Sequence, residues 1–134
     1  MFKLIKILNS GINVPEVVKL KASATKSYVA GEALVLSSGV AVSSGATTKP
    51  TFIAAANAPE GATDIAAYPI SPDMIFECTV SAAPTSLACG SVVTLTLDAD
   101  SRAVGVSATS ENGVATVYDT LGAKTAGDKL LVRF

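Results

Sequence analysis

Three times this chain writes the same short phrase: a small residue, a glycine, a polar residue and then a strand-forming run. The copies are Ala30-Gly31-Glu32-Ala33-Leu34-Val35-Leu36, Cys89-Gly90-Ser91-Val92-Val93-Thr94-Leu95 and Ala126-Gly127-Asp128-Lys129-Leu130-Leu131-Val132. Glycine enters the positive-φ region without the penalty a Cβ brings, so each phrase marks a sharp turn that opens a strand. After the first copy, Ser37-Ser38-Gly39 reads as a three-residue hairpin connection into Val40-Ala41-Val42-Ser43. Leu34 and Leu36 then share one face, and Val40 and Val42 share one face of the return strand. The repetition extends further: Leu36, Val40 to Ser43, Ala46-Thr47 and Phe52-Ile53 have counterparts in Leu95, Val104 to Ser107, Ala108-Thr109 and Val114-Ala115. Many short strands at turn spacings of about 8 to 12 residues predict an all-β fold, a compact barrel or sandwich of short antiparallel strands with two similar β units.

The 134 residues suit one domain. Residues 1–15 read as an extended N-terminal arm and residues 16–134 as the single β domain. The arm opens with Phe2-Lys3-Leu4-Ile5-Lys6-Ile7-Leu8, of ambiguous period, and reaches Asn13-Val14-Pro15, where the residue before proline is pushed toward extended backbone. Removing residues 2–14 is therefore expected to leave the β body folded. Aromatic residues make up only 5% of the chain and tryptophan is absent, so the core must come mainly from Ala, Val, Leu and Ile. The most heavily loaded strand face is Met74, Phe76, Cys78 and Val80, the expected core centre. Asn112-Gly113, between Ser107-Ala108-Thr109-Ser110-Glu111 and Val114-Ala115-Thr116-Val117-Tyr118, is the strongest hairpin signal and suits a type I′ turn. Asp119 to Gly127 reads as a connection to the last strand.

The residue inventory argues against catalysis. No histidine is present, which removes Ser-His-Asp triads, Cys-His dyads and histidine-ligated metals together. Cys78 and Cys89 lack zinc-site spacing and read as buried free thiols. Asp98 and Asp100 have the spacing of a calcium loop but not its later glycine and glutamate, so a hairpin turn explains them better. Glu32, Asp128 and Glu60 each adjoin a glycine turn, where carboxylates satisfy backbone amides. Gly31, Gly39 and Gly45 are followed by neither Gly-Lys-Ser/Thr nor a helix start, which excludes a phosphate loop. The expectation is a non-enzymatic protein with no cofactor and no metal. No run approaches the ~18 apolar residues of a membrane helix, and no export signal is evident.

Charge is sparse and uneven. Charged residues are 16% of the chain, so Ser, Thr, Ala and Gly must cover much of the surface, a composition suited to self-association. Residues 1–26 carry Lys3, Lys6, Lys19, Lys21 and Lys26 against Glu16, whereas the remainder carries five basic and ten acidic side chains. These lysines lack interleaved aromatics or arginines, so a nucleic-acid partner is not expected. A basic arm on an acidic body favours an anionic partner surface.

Asn13-Val14-Pro15-Glu16, Tyr28-Val29-Ala30-Gly31-Glu32-Ala33-Leu34, Lys49-Pro50-Thr51-Phe52-Ile53 and Pro69-Ile70-Ser71-Pro72-Asp73-Met74-Ile75-Phe76-Glu77 together resemble the small head decoration proteins of tailed bacteriophages and prophages. The similarity continues through Asp119-Thr120-Leu121-Gly122 and Ala126 to Phe134. It implies a capsid decoration protein: a compact β domain on the capsid exterior of a virion assembled in the bacterial host cytoplasm. It also implies binding to the major capsid protein, often as a homotrimer, with an N-terminal arm as reinforcement. On that reading Lys3, Lys6, Asn13 and Pro15 are the candidate partner-binding residues. The competing reading is a carbohydrate-binding or adhesin-like β module, against which the scarcity of aromatic rings counts.

Overall fold

The computed structural model describes residues 1–8 and 15–134, and among these the regular structure is entirely β. The strands are β1 (Lys3–Ile7), β2 (Val18–Lys21), β3 (Ala33–Ser37), β4 (Val40–Ser43), β5 (Phe52–Ala54), β6 (Asp64–Pro69), β7 (Met74–Thr79), β8 (Val92–Val93), β9 (Leu95–Leu97), β10 (Ala103–Val106), β11 (Ala115–Asp119) and β12 (Lys129–Arg133). They form two antiparallel sheets, one ordered β1-β7-β12-β11-β8 and the other β2-β6-β5-β3-β10-β9 with β4 paired onto β3. The result is a sandwich; the barrel alternative does not hold, because neither sheet closes on itself.

The recurring glycine phrase becomes one device built three times. Gly31, Gly90 and Gly127 have φ of 85°, 88° and 89°. Each is the third residue of a turn closed by the next residue's N–H: Glu32 to the Val29 carbonyl, Ser91 to Ala88 and Asp128 to Thr125. Positive φ at that position makes each a type II turn. The glycine N–H then donates across the sheet, to the carbonyls of Ala54, Val117 and Val80 respectively, and those three residues donate back to Glu32, Ser91 and Asp128. Two residues face one, the pattern of a glycine β-bulge. The residue after glycine also folds its side chain back: Glu32 Oε2, Ser91 Oγ and Asp128 Oδ2 accept the N–H groups of Val29, Ala88 and Thr125 at 3.3, 3.0 and 2.9 Å. The polar residue in the phrase is thus part of the corner, as expected for Glu32 and Asp128.

In both similar units the strand paired back onto the corner is the one that follows the hairpin, β5 on β3 and β11 on β8. The units diverge at Thr94. The first hairpin stays in one sheet, while the second unit's strand splits there, leaving β8 in the five-stranded sheet and β9 in the other. A parallel bridge between Val80 and Val106 joins the sheets again.

Both faces of the seven-stranded sheet are covered. Alternation along its strands sends Ala33 and Ile53 to a core shared with Phe76, Cys78, Val80, Leu130 and Val132 of the other sheet. The neighbouring residues Leu34 and Ala54 go to a second core with Ala22, Tyr28, Ala41, Ala58, Ile65 and Ala67. Met74, Phe76, Cys78 and Val80 all lie in the first core, as their strand face predicts. Phe134 packs there between Phe2 and Phe76, edge-to-face on the first and tilted against the second, at ring-centre distances of 5.3 and 5.6 Å. In the second core the Tyr28 hydroxyl donates to the Ala41 carbonyl at 2.6 Å and accepts the Ser23 N–H at 2.8 Å.

Three expectations need correction. Residues 1–8 are extended, as expected of the arm, but they belong to the β domain and do not stand apart from it: β1 pairs with β7 as the last strand of its sheet, and Phe2 is 3% exposed. A bulge between Leu4 and Lys6 explains the ambiguous period, because one extra residue lets both Leu4 and Ile7 pack on the first core. The Ser37 connection is a two-residue type I′ turn, with Ser38 and Gly39 at φ of 50° and 78° and Ser37 paired to Val40. Asn112-Gly113 makes a turn but not a hairpin. The strands around it lie in different sheets, β10 in one and β11 in the other, so the turn carries the chain across the sandwich.

Candidate functional site

The surface expected to meet a partner is built on β1. Its residues Lys3 and Lys6 are exposed, and Ile5 between them faces outward as well, at 44% exposure, because the bulge puts Ile5 and Lys6 on the same side. Phe2 fixes this display from one end: its N–H donates to the Gly31 carbonyl at 2.8 Å, and its ring enters the first core. At the other end the Leu8 N–H donates to the Asp73 carbonyl at 2.8 Å. Lys3 stands in register with Glu77, which Lys129 Nζ bonds at 2.8 Å. That hydrogen bond, helped by the Lys3 charge, holds the Glu77 carboxyl below its ordinary value. Pro15 is half-buried, apart from β1 in sequence, and Asn13 lies outside the described residues. The structure therefore brings Lys3 and Lys6 onto one rigid edge and joins Ile5 to them. Sequence reasoning missed Ile5, since the run has no single period: alternation puts Ile5 beside Lys3, and the bulge then keeps Lys6 outward too.

A second concave region, about 340 Å³, lies at one end of the sandwich and is lined by Thr25, Lys26, Ser27, Glu32, Ser43, Glu60, Asp100 and Arg102. Glu32 is its unusual member, a carboxylate only 1% exposed. Burial pushes its carboxyl up from the ordinary value, against the pull of hydrogen bonds from the Val29 N–H and the Ser43 hydroxyl. Ser43 Oγ in turn accepts the Ala103 N–H at 2.9 Å. Asp98 caps the neighbouring hairpin, accepting the N–H groups of Asp100 and Arg102 at 2.9 Å each and the Arg102 Nε–H at 2.8 Å. Burial acts to raise Asp98, but these bonds outweigh it and hold the carboxyl below its ordinary value. Arg102 also reaches the Asp100 carboxylate. The Asp98 and Asp100 pair thus organises a turn around Arg102, and Glu32 is bonded to Ser43.

Cys78 and Cys89 are both free thiols, but only Cys78 is buried; Cys89 sits exposed on the corner beside Gly90. The expectation of two buried thiols fails because the corner glycine turns its predecessor outward. Burial pushes the Cys78 thiol up to about 12, so it is a packing residue and not a nucleophile. Among the described residues no helix is long and apolar enough to cross a membrane. Compared with protein-family profiles, curated proteins and solved structures, the chain matches none.

Proposed function

We propose that this protein is a structural component of a virion, binding the exterior of a phage capsid through the major capsid protein and stabilising it as a trimer. The observation that carries the reading is the β1 edge: two lysines and an outward isoleucine on a strand anchored at both ends. An anchored display loses little conformational entropy when it docks, which favours binding over a floppy arm with the same residues. Four of the phrases behind the resemblance to head decoration proteins support it: Tyr28 to Leu34, Lys49 to Ile53, Pro69 to Glu77 and Ala126 to Phe134 fall on or beside corners and strands of the β body. The carbohydrate-binding alternative gains little, because the rings of Phe2, Tyr28, Phe76 and Phe134 are interior, those of Phe52 and Tyr68 are half-buried, and Tyr118 alone is exposed.

Co-sedimentation with expanded empty capsids tests the proposal. Intact protein is expected to pellet with capsids, and Lys3→Glu/Lys6→Glu to bind more weakly, with the deficit shrinking as salt rises. Intact protein that stays in the supernatant at low salt would remove the reading. Deleting residues 2–14 is no longer a clean test, because it takes Phe2 from the core and β1 from its sheet.

A further inference from the structure

Four residues other than glycine hold positive φ among the described residues: Ser38, Ser101, Asn112 and Leu121. The first three are small or polar types suited to turns. Leu121 is not, because a left-handed backbone brings a bulky side chain against its own carbonyl. It is followed by Gly122 at φ of 74°, and the Ala123 N–H donates to the Thr120 carbonyl at 2.9 Å. Positive φ at both central residues makes this a type I′ turn, whose first position favours Asn, Asp or Gly. The Asp119 carboxylate accepts the Leu121 N–H at 2.8 Å and fixes the turn. The leucine side chain is 51% exposed, so in a single copy it adds strain and little packing. Bulged Tyr118 stands close by in the chain at 40% exposure.

At the other end of the same strand pair is a complementary hollow. A cleft of about 330 Å³ is lined by Lys49, Pro50, Thr51, Ile70, Pro72 and Phe134. Pro50 and Phe134 are buried, Ile70 is half-buried, and Lys49 is exposed. β11 and β12 run antiparallel, with Thr116 opposite Arg133 and Asp119 opposite Leu131. Leu121 therefore lies beyond one end of the pair and Phe134 at the other, roughly 15–20 Å apart along the strands. A copy cannot fill its own hollow with its own turn.

We propose that the Leu121 turn of one copy seats in the Pro50–Ile70–Phe134 cleft of a second copy, with anionic Asp119 meeting cationic Lys49. The strained leucine is the knob and the cleft is its socket; of the charges beside them, exposed Asp119 at the turn and exposed Lys49 at the cleft are opposite in sign, and Lys124 on the far side of the turn points the contact toward the Asp119 side. Because knob and socket are different surfaces, the contact is head to tail: it makes a closed ring, such as a trimer, where the rotation between copies closes, and an open filament where it does not. It rests on the self-association part of the function proposed above and is independent of capsid binding.

Sedimentation velocity over a concentration series tests it. Leu121→Asn suits the left-handed turn and removes the knob, so it is expected to melt no lower than the parent chain yet to dissociate at least about tenfold more readily. Asp119→Asn keeps the acceptor for the Leu121 N–H and removes only the charge; together with Lys49→Glu it is expected to weaken association most at low salt. If Leu121→Asn assembles as tightly as the parent, this contact is wrong while self-association stands. If the parent chain is monomeric throughout, both the contact and the trimer fall.

Discussion

On one face of the seven-stranded sheet, Ile53 and Leu95 join Phe2, Phe76, Phe134 and Leu130 in the space between the sheets. On the other face, Ala22, Ala41, Ala54, Ala58 and Ala67 surround Leu34, Ile65 and one tyrosine. The first core is held by large side chains that bury much apolar area each. The second brings backbones close over methyl groups and relies on the Tyr28 hydroxyl to tie the Ser23 loop to β4. The contrast teaches that one sheet can be covered twice with few aromatics, provided one side is thick and the other thin.

Truncation should strike the thick side hardest. Phe76→Ala is expected to cost about 3–5 kcal/mol in urea unfolding, because Phe76 is fully buried between two sheets that cannot both collapse onto the void. A loss below about 1 kcal/mol would mean that this core is not the main source of stability. The corners give the next contrast. Gly31 and Gly90 share nearly the same φ, so alanine at either costs about 1–2 kcal/mol of backbone strain. A Cβ on Gly31 would also stand 2.8 Å from the Phe2 carbonyl oxygen, whereas one on Gly90 meets nothing within 4 Å. Gly31→Ala should therefore be clearly the worse of the two, and equal losses would show that Phe2 does not press on the turn.

On the thin side, Tyr28→Phe keeps the ring and strands the Ala41 carbonyl and the Ser23 N–H, for an expected loss of about 1–3 kcal/mol. No loss would make the second core simple filler. The smallest effect concerns Glu32, whose strand supplies Ala33 to one core and Leu34 to the other. Its carboxyl is raised by burial, so the folded chain holds that proton more tightly than the unfolded chain does. The corresponding stability is present below the unfolded carboxylate range and is lost as pH rises through the raised value. Glu32→Gln removes this dependence, so it should gain on the parent chain in urea midpoints as pH rises above the ordinary carboxylate range. Parallel curves would contradict the raised value.

The parts of this architecture that local chemistry decides were readable in the chain. The three glycine phrases became three equivalent corners, and the Met74 to Val80 face became core, because turns and strand alternation are written within a few residues. The Asn112-Gly113 turn was readable too, but its strands' partners were not, since pairing is settled by distant segments. The second core is nearly silent in sequence, because alanine alternating with alanine, as in Ala66-Ala67, gives no face. Of the expected partner surface, Lys3 and Lys6 were legible as cations. Their fixed presentation was hidden by one bulged residue, and the strain on Leu121 cannot be seen in a stretch that reads only as a connection.

The three corners ask little of the alphabet: a glycine, a side-chain acceptor after it, and backbone groups that every residue supplies. Side chains elsewhere are free to drift so long as the cores keep their volume. A lineage built on such corners can therefore lose overall similarity long before it loses its shape, and kinship would survive longest in the spacing of three small phrases.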